Sequence, residues 1–409
     1  MTSGYETLRH DELATLLPEL LLAGQLIDRS GMAWCVSAFG RAEMTRIAVE
    51  EWMAASPLYT RRMQRALRYE GDDVITIFKG LQLDIGAPPQ FMDFRFTVHD
   101  RWHGEFRLDH CGALMDVEPL GPEFVTGMCH DIEDPTFDAT AVATNPRARV
   151  RPIHRPPRRP ADRHPHCAWT VDIDEANPPV RESADCRRLR RSHAATVVLD
   201  PVDPAGDGRA DYAGPLLTDL AFADFSSSAL VRMADEVCLQ MHLLNLGFVH
   251  AVGRRTDAER ARRICVRQLT GIAGLTAARL HHALGLPGGA EGARRVLALH
   301  PLLNPAAYVR ATVGDTLTVT ASPAHADGAW ISLCGPGETR PLQAIVRAVD
   351  PHLDVEVEGT PAAWTARVVR RAEPAKDLDE VAVARVSTGA SFTFRPRRSL
   401  PITPVGRHA

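Results

Sequence analysis

The same order of structural signals runs through this chain twice. Residues 10–70 carry helical spacing, in LATLLPELLLAGQLI and RAEMTRIAVEEWMAA, with Pro18 and DRSG (28–31) dividing the first segment. VITIFKGLQLDIG is an apolar run that fits helix or strand. From residue 91 the period becomes two: FMDFRFTV and EFRLDH flank HDRWHG as a β-hairpin. EPLGPEFVTGMCHDI then reads as a short helix, and VRPIH and CAWTVDI as two extended segments. From Phe225 the helical pattern returns in SSALVRMADEVCLQMHLLNLGFVHAV and ERARRICVRQLTGIAGLTAARLHHALG. Strands (AYVRATV, TLTVTAS), a helix (RPLQAIVRAV) and more strands (LDVEVEG, WTARVVRR, EVAVARVS, SFTFRP) follow. Asp134-Pro135-Thr136-Phe137-Asp138 and Asp350-Pro351-His352-Leu353-Asp354 mark one junction in each half, and TIFKGL pairs with RQLTGI. The expected fold is α+β: two tandem, diverged copies of a helical layer packed on a small, mainly antiparallel sheet. The copies span 1–175 and 223–400. Residues 176–222, rich in Pro, Asp, Gly and Arg, form a linker with one strand-like run, ATVVLD.

Composition excludes several classes of partner. At 409 residues, 45% apolar and 24% charged, the chain reads as a soluble globular protein of two to three domains. No apolar run approaches the roughly 20 residues of a membrane span, so no membrane partner is expected. A net charge of −4 argues against nucleic acid. LPELLLAGQLI is broken by Gly24 and is not a signal peptide, so the eight cysteines read as reduced thiols of a cytoplasmic protein.

Chemistry concentrates in residues 106–173. Cys111, Cys129 and Cys167 each have a histidine beside them: His110, His130 and His166. Any one cysteine is more often core than catalytic, but the second copy lacks all three. Ala321-Ser322-Pro323 stands opposite Cys111, and Ile345-Val346-Arg347 opposite Cys129-His130-Asp131. The catalytic candidates are therefore Cys129, Asp131, Cys111 and His130, with Asp131 preferred over Glu133, Asp134 and Asp138 because it lies two residues from Cys129. No C-x-x-C knuckle is present. A divalent metal such as zinc would need a site assembled in space from Cys111, Cys129, Cys167 and His166. Arg149 and Arg151, on the segment beside the cysteines, suit a substrate carboxylate through paired guanidinium donors, with His154 nearby. The Pro- and Arg-rich run after them reads as a stiff solvent loop. No G-x-S-x-G elbow, H-E-x-x-H motif or phosphate loop occurs.

These residues, in this order, resemble the L-2-amino-thiazoline-4-carboxylic acid hydrolase-like family. The resemblance rests on Cys111, Glu118-Pro119-Leu120-Gly121, Cys129 with Asp131, Asn145-Pro146 with Arg147, Arg149 and Arg151, and finally Cys167, roughly residues 75–173. The chain departs from the family in Ala168-Trp169, where Asp-Phe is usual, and in the inserted His154-Arg155-Pro156-Pro157-Arg158-Arg159-Pro160. The resemblance implies a hydrolase acting on a small carboxylated amidine or thiazoline. Two mechanisms fit: attack by a Cys129 or Cys111 thiolate with His130 or His166 moving protons, or water activated by a bound metal. The alternative is a non-catalytic ligand-binding or regulatory protein whose cysteines hold a structural metal or sense redox state. The helical faces would serve a homo-oligomer.

Overall fold

The leucine-rich segment forms one unbroken helix, α1 (His10–Phe39), that runs straight through Pro18 and DRSG. Those residues are packing devices rather than breaks. Asp28 and Ser30 are buried, and a Cβ on Gly31 would fall 2.7 Å from the Gln268 amide and 3.0 Å from the Phe248 ring. Glycine here admits another helix at close range. Gly40, at φ +83°, turns the chain into α2 (Arg41–Ala66). Asp73 caps α3 (Val74–Gln82), its side chain accepting from the Thr76 N–H at 2.9 Å, so VITIFKGLQ is helical.

The expected hairpin is present as β1 (Met92–Val98) and β2 (His103–Cys111). Three short helices follow: α4 (Gly112–Val117), α5 (Pro122–Thr126) and α6 (Glu133–Ala141), with a π-helical turn at Gly127–Ile132. β3 (Ala148–His154) and β4 (Cys167–Ile173) complete an antiparallel sheet of order β1-β2-β4-β3. ATVVLD is not a strand. Residues 176–222 contain the short helices α7 (Ala184–Leu189) and α8 (His193–Thr196) and are tied down rather than loose. Arg62 donates to the Ala195 and Val197 carbonyls, and Lys79 Nζ to those of Tyr212 and Gly214 at 2.8 and 2.6 Å.

The second half contains α9 (Ser227–Gly253), α10 (Ala258–Ala283), α11 (Gly289–Leu299), α12 (Ala306–Val309), β5 (Ala311–Val313), β6 (Leu317–Val319), α13 (Pro323–Asp327), α14 (Arg340–Val349), β7 (Leu353–Thr360), β8 (Ala363–Arg370) and α15 (Asp379–Arg385). AYV and EVAVAR, expected as strand, are helical in α12 and α15. The computed structural model describes residues 3–385, so SFTFRP lies outside the described residues. Among the described residues no helix is long and apolar enough to cross a membrane.

The second sheet has order β5-β6-β8-β7, the topology of the first, and the protein is α+β with two like sheet-and-helix units. The expected junction pairing is corrected. Asp134–Asp138 lies inside α6, whereas Asp350 and Pro351 form the turn into β7. The true counterpart of Asp350-Pro351 is Asn145-Pro146. Asn145 Oδ1 accepts from the Arg147 N–H at 2.9 Å just as Asp350 Oδ1 accepts from the His352 N–H at 2.9 Å, and a strand follows each. TIFKGL and RQLTGI are likewise not equivalent, since they lie in α3, which leads directly to β1, and in α10, which α11 and α12 separate from β5.

The halves pack through their long helices. α2 lies on α9 and α1 on α10, related by a pseudo-two-fold axis. Ion pairs repeat about it, one buried and one half-buried: Arg62 grips Glu236 and Arg279 grips Glu19, each across the halves, and each second-half residue stands 217 positions after its mate (236 against 19, 279 against 62). One continuous cluster of buried side chains runs through both halves.

Candidate functional site

Alternation along the strands decides where the sequence candidates point. Cys167 opens β4 facing the helices, so the adjacent His166 faces the other way. In β2 the alternation that buries Phe106 and Leu108 would turn Cys111 outward, but a bulge between Leu108 and Cys111 shifts it by one residue, so Cys111 faces the helices and His110 lies beside His166. The two rings meet there, 5.8 Å apart. Cys129 enters the same buried layer from the π-helical turn, a distortion found at many functional sites. The three thiols are buried, unpaired in disulfides, and close enough to feel one another and Glu133. Burial pushes Cys111 up to about 12, and Cys129 and Cys167 well above the usual thiol range, with the Glu133 charge acting the same way. A neutral thiol is a poor nucleophile. Iodoacetamide at neutral pH is expected to leave the folded protein unlabelled and to reach all eight cysteines only after denaturation. Rapid labelling of native Cys129 would restore the thiolate mechanism.

The metal centre built from Cys111, Cys129, Cys167 and His166 is not formed. Among the described residues no group of three or more His, Cys, Asp and Glu side chains is arranged to hold an ion. His166 lies on the far side of the strand from Cys167, where burial lowers it to about 4, with Arg158 and His110 adding to the shift. Asp131 is exposed, because two residues along a helical path turn a side chain away from Cys129. Four residues along, Glu133 returns to the same side. His130 Nε2 donates to the Pro156 carbonyl at 2.7 Å and does not face Cys129.

The carboxylate clamp is corrected on the same grounds. Ala148 and Val150 turn inward from β3, so Arg149 and Arg151 lie on the outer face. Arg149 donates to the Ala148 and Pro178 carbonyls, and Arg151 pairs with Asp138 at 3.0 Å. His154, half-buried at the end of β3, is lowered by burial and by Arg163. The Pro- and Arg-rich run after it is a strap over α4–α6 rather than a free loop. Arg155 pairs with Asp134, and Arg158 holds Glu118 at 2.9 Å.

Beneath this layer α1, α2, α3, the sheet and the π-helical turn enclose a cavity of about 80 Å³. Gln25, Asp28, Tyr59, Asp84 and Glu133 supply its polar wall, Trp52, Phe94, Leu108 and Phe137 the apolar one, and no arginine or lysine lines it. Asp84 is satisfied: the Tyr59 hydroxyl donates to it at 2.8 Å and the Gly86 N–H at 2.7 Å, which pull against the burial that raises it to about 6. Three other atoms are not. Gln25 Oε1, Asp28 Oδ1 and Glu133 Oε2 are out of solvent with no donor. The half-buried Glu133 turns its carboxyl inward, and burial raises it to about 8 although Arg155 opposes the shift. Buried acceptors without donors are rare in folded proteins and call for a ligand, water or a proton.

Motif reasoning ranks Glu133 below Asp131, takes Asp28 for part of a turn, and misses Asp84. The available signal was an acid within an apolar helical run, LLLAGQLID, where a charge has no solvent to meet. No family model, curated protein or solved structure matches this chain.

Proposed function

We propose that the first half is a small-molecule site of hydrolase type, acting in the cytoplasm on a compact amidine, with Glu133 as the acid/base group. The observation that carries this reading is the set of unpartnered inward oxygens on Gln25, Asp28 and Glu133 in a cavity free of positive charge. Carboxyl groups so placed attract a cationic N–C–N group and supply the acceptors its N–H donors need. A cavity of this size takes a few waters, at about 30 Å³ each in the liquid, or one small planar group.

A carboxyl raised to about 8 shuttles protons near neutral pH. The ionised Glu133 takes a proton from water as the water oxygen bonds to the amidine carbon, and the C=N electron pair moves onto nitrogen. Glu133 then returns the proton to the departing nitrogen or sulfur as that bond breaks, the hydroxyl oxygen forms the carbonyl, and its proton passes to the released amine or to water. The buried thiols lie around Glu133 rather than on the cavity wall, and keep the dielectric low about its carboxyl. The resemblance supports the amidine class, whereas its carboxylate requirement finds no guanidinium in the cavity.

Turnover of 2-aminothiazoline, with and without a 4-carboxylate, tests this by ultraviolet absorbance. Wild type is expected to consume both, and Glu133→Gln to be slower by about 10²–10⁴-fold, the usual contribution of a general acid/base. Binding without turnover in wild type would favour the ligand-binding alternative. Neither binding nor turnover would end the reading.

A further inference from the structure

We infer that Asp28 and Glu51 form a proton-holding pair at the cavity wall which gives up its proton when the cationic end of a ligand enters. This rests on the cavity being the ligand site, and adds the residues that select a cation. Asp28 lines the cavity, and Glu51, 0% exposed and not part of the lining, lies within hydrogen-bond reach of the Asp28 carboxyl. Asp28 Oδ1 and both Glu51 oxygens have no donor, which only a proton shared between the two carboxyls or an arriving cation would supply. The groups around them are Arg29 and Cys35 of α1, Trp52 of α2, and Cys265 and Gln268 of α10. Burial favours the protonated form of both acids, and the charge of Asp28 further disfavours ionised Glu51.

The other half of the molecule is an internal control. Asn245 and Gln268 occupy the pseudo-symmetric positions (245 against 28, 268 against 51), and the Asn245 amide donates to Gln268 Oε1 at 3.1 Å. The bundle therefore accommodates a neutral amide pair of nearly the same shape at this crossing. Acids at the crossing beside the cavity add desolvation cost that the helix packing does not require. What they provide and the amides lack is exchange of a proton for a cation. Each cation bound releases one proton from the pair to bulk water, leaving the net charge of the buried site unchanged.

Titration calorimetry with acetamidinium chloride at pH 6, in two buffers of different ionisation enthalpy, counts the protons released. Wild type is expected to release about one proton per cation bound. Asp28→Asn/Glu51→Gln, which installs the amide pair of the second half, is expected to fold with an unfolding midpoint at or above wild type. Its binding should be weaker by about tenfold or more, the scale of a lost charged hydrogen bond, with no proton released. Glu51→Gln alone, measured beside it in case the double variant fails to fold, should bind without releasing a proton. Glu133→Gln should keep the release. Unchanged affinity and proton count in the double variant, or an unchanged count in Glu51→Gln, would overturn the inference and leave the cavity reading standing. No binding to wild type would overturn both.

Discussion

Replacing Glu236 with alanine is expected to destabilise the protein by about 3–5 kcal/mol, the usual cost of stranding one member of a buried ion pair. The carboxylate is 1% exposed and accepts from Arg62 Nε at 2.8 Å, Arg62 Nη2 at 3.1 Å and Arg232 Nη2 at 2.9 Å. Arg62 is itself 7% exposed, and its remaining bonds go to neutral carbonyls that cannot balance its charge. The pseudo-symmetric substitution, Glu19→Ala, is expected to cost about 1–2 kcal/mol. There the Arg279 and Glu19 side chains are 24% and 15% exposed, and water takes over part of the hydrogen bonding. Urea unfolding at fixed pH measures both. Equal losses at the two sites would show that burial does not set the cost.

Glu133→Gln is expected to stabilise the protein, by an amount that grows with pH. Burial holds the carboxyl at about 8 against 4.5 when unfolded. Folding therefore favours the protonated acid. Its contribution is intact below about 4.5, falls as pH rises, and is fully lost above about 8. Each pKa unit is worth about 1.4 kcal/mol, so the scale is several kcal/mol. Glutamine keeps the shape and never ionises. The gap between variant and wild type should be small at pH 5 and largest at pH 8–9. A gap that does not change with pH would mean that Glu133 is ionised in the folded protein and does not serve as the proton carrier.

Much of the sheet architecture was legible because period-two patterning is local: FMDFRFTV, CAWTVDI and LDVEVEG all became strands, and the sheets share one topology. The strands predicted at AYV and EVAVAR failed because short apolar runs satisfy either period. In the site, the sequence located the cysteine layer but not its chemistry. Cys111 and Cys167 share a buried layer, yet strand alternation sends His166, Arg149 and Arg151 to the outer side, and a bulge in β2 sends His110 there. The first follows from β-geometry once the register is known, whereas the bulge leaves no period-two trace in the sequence. The pairing of Asp28 with Glu51 was beyond reach for another reason. The two acids lie on different helices, and only the packing of α1 against α2, repeated by α9 and α10, makes them a pair with a neutral counterpart.

The cross-paired arginines have a consequence for how the two halves diverge. Arg62 with Glu236 and Arg279 with Glu19 are the reciprocal contacts of an isologous interface, in which residue i meets j and j meets i. In a homodimer built this way every substitution would appear on both sides of the dyad at once, and acids at the crossing would burden both protomers. Joined in a single chain, the protomers mutate independently. One half can carry the costly carboxyls of Asp28 and Glu51 while the other carries the amides of Asn245 and Gln268 at the same crossing.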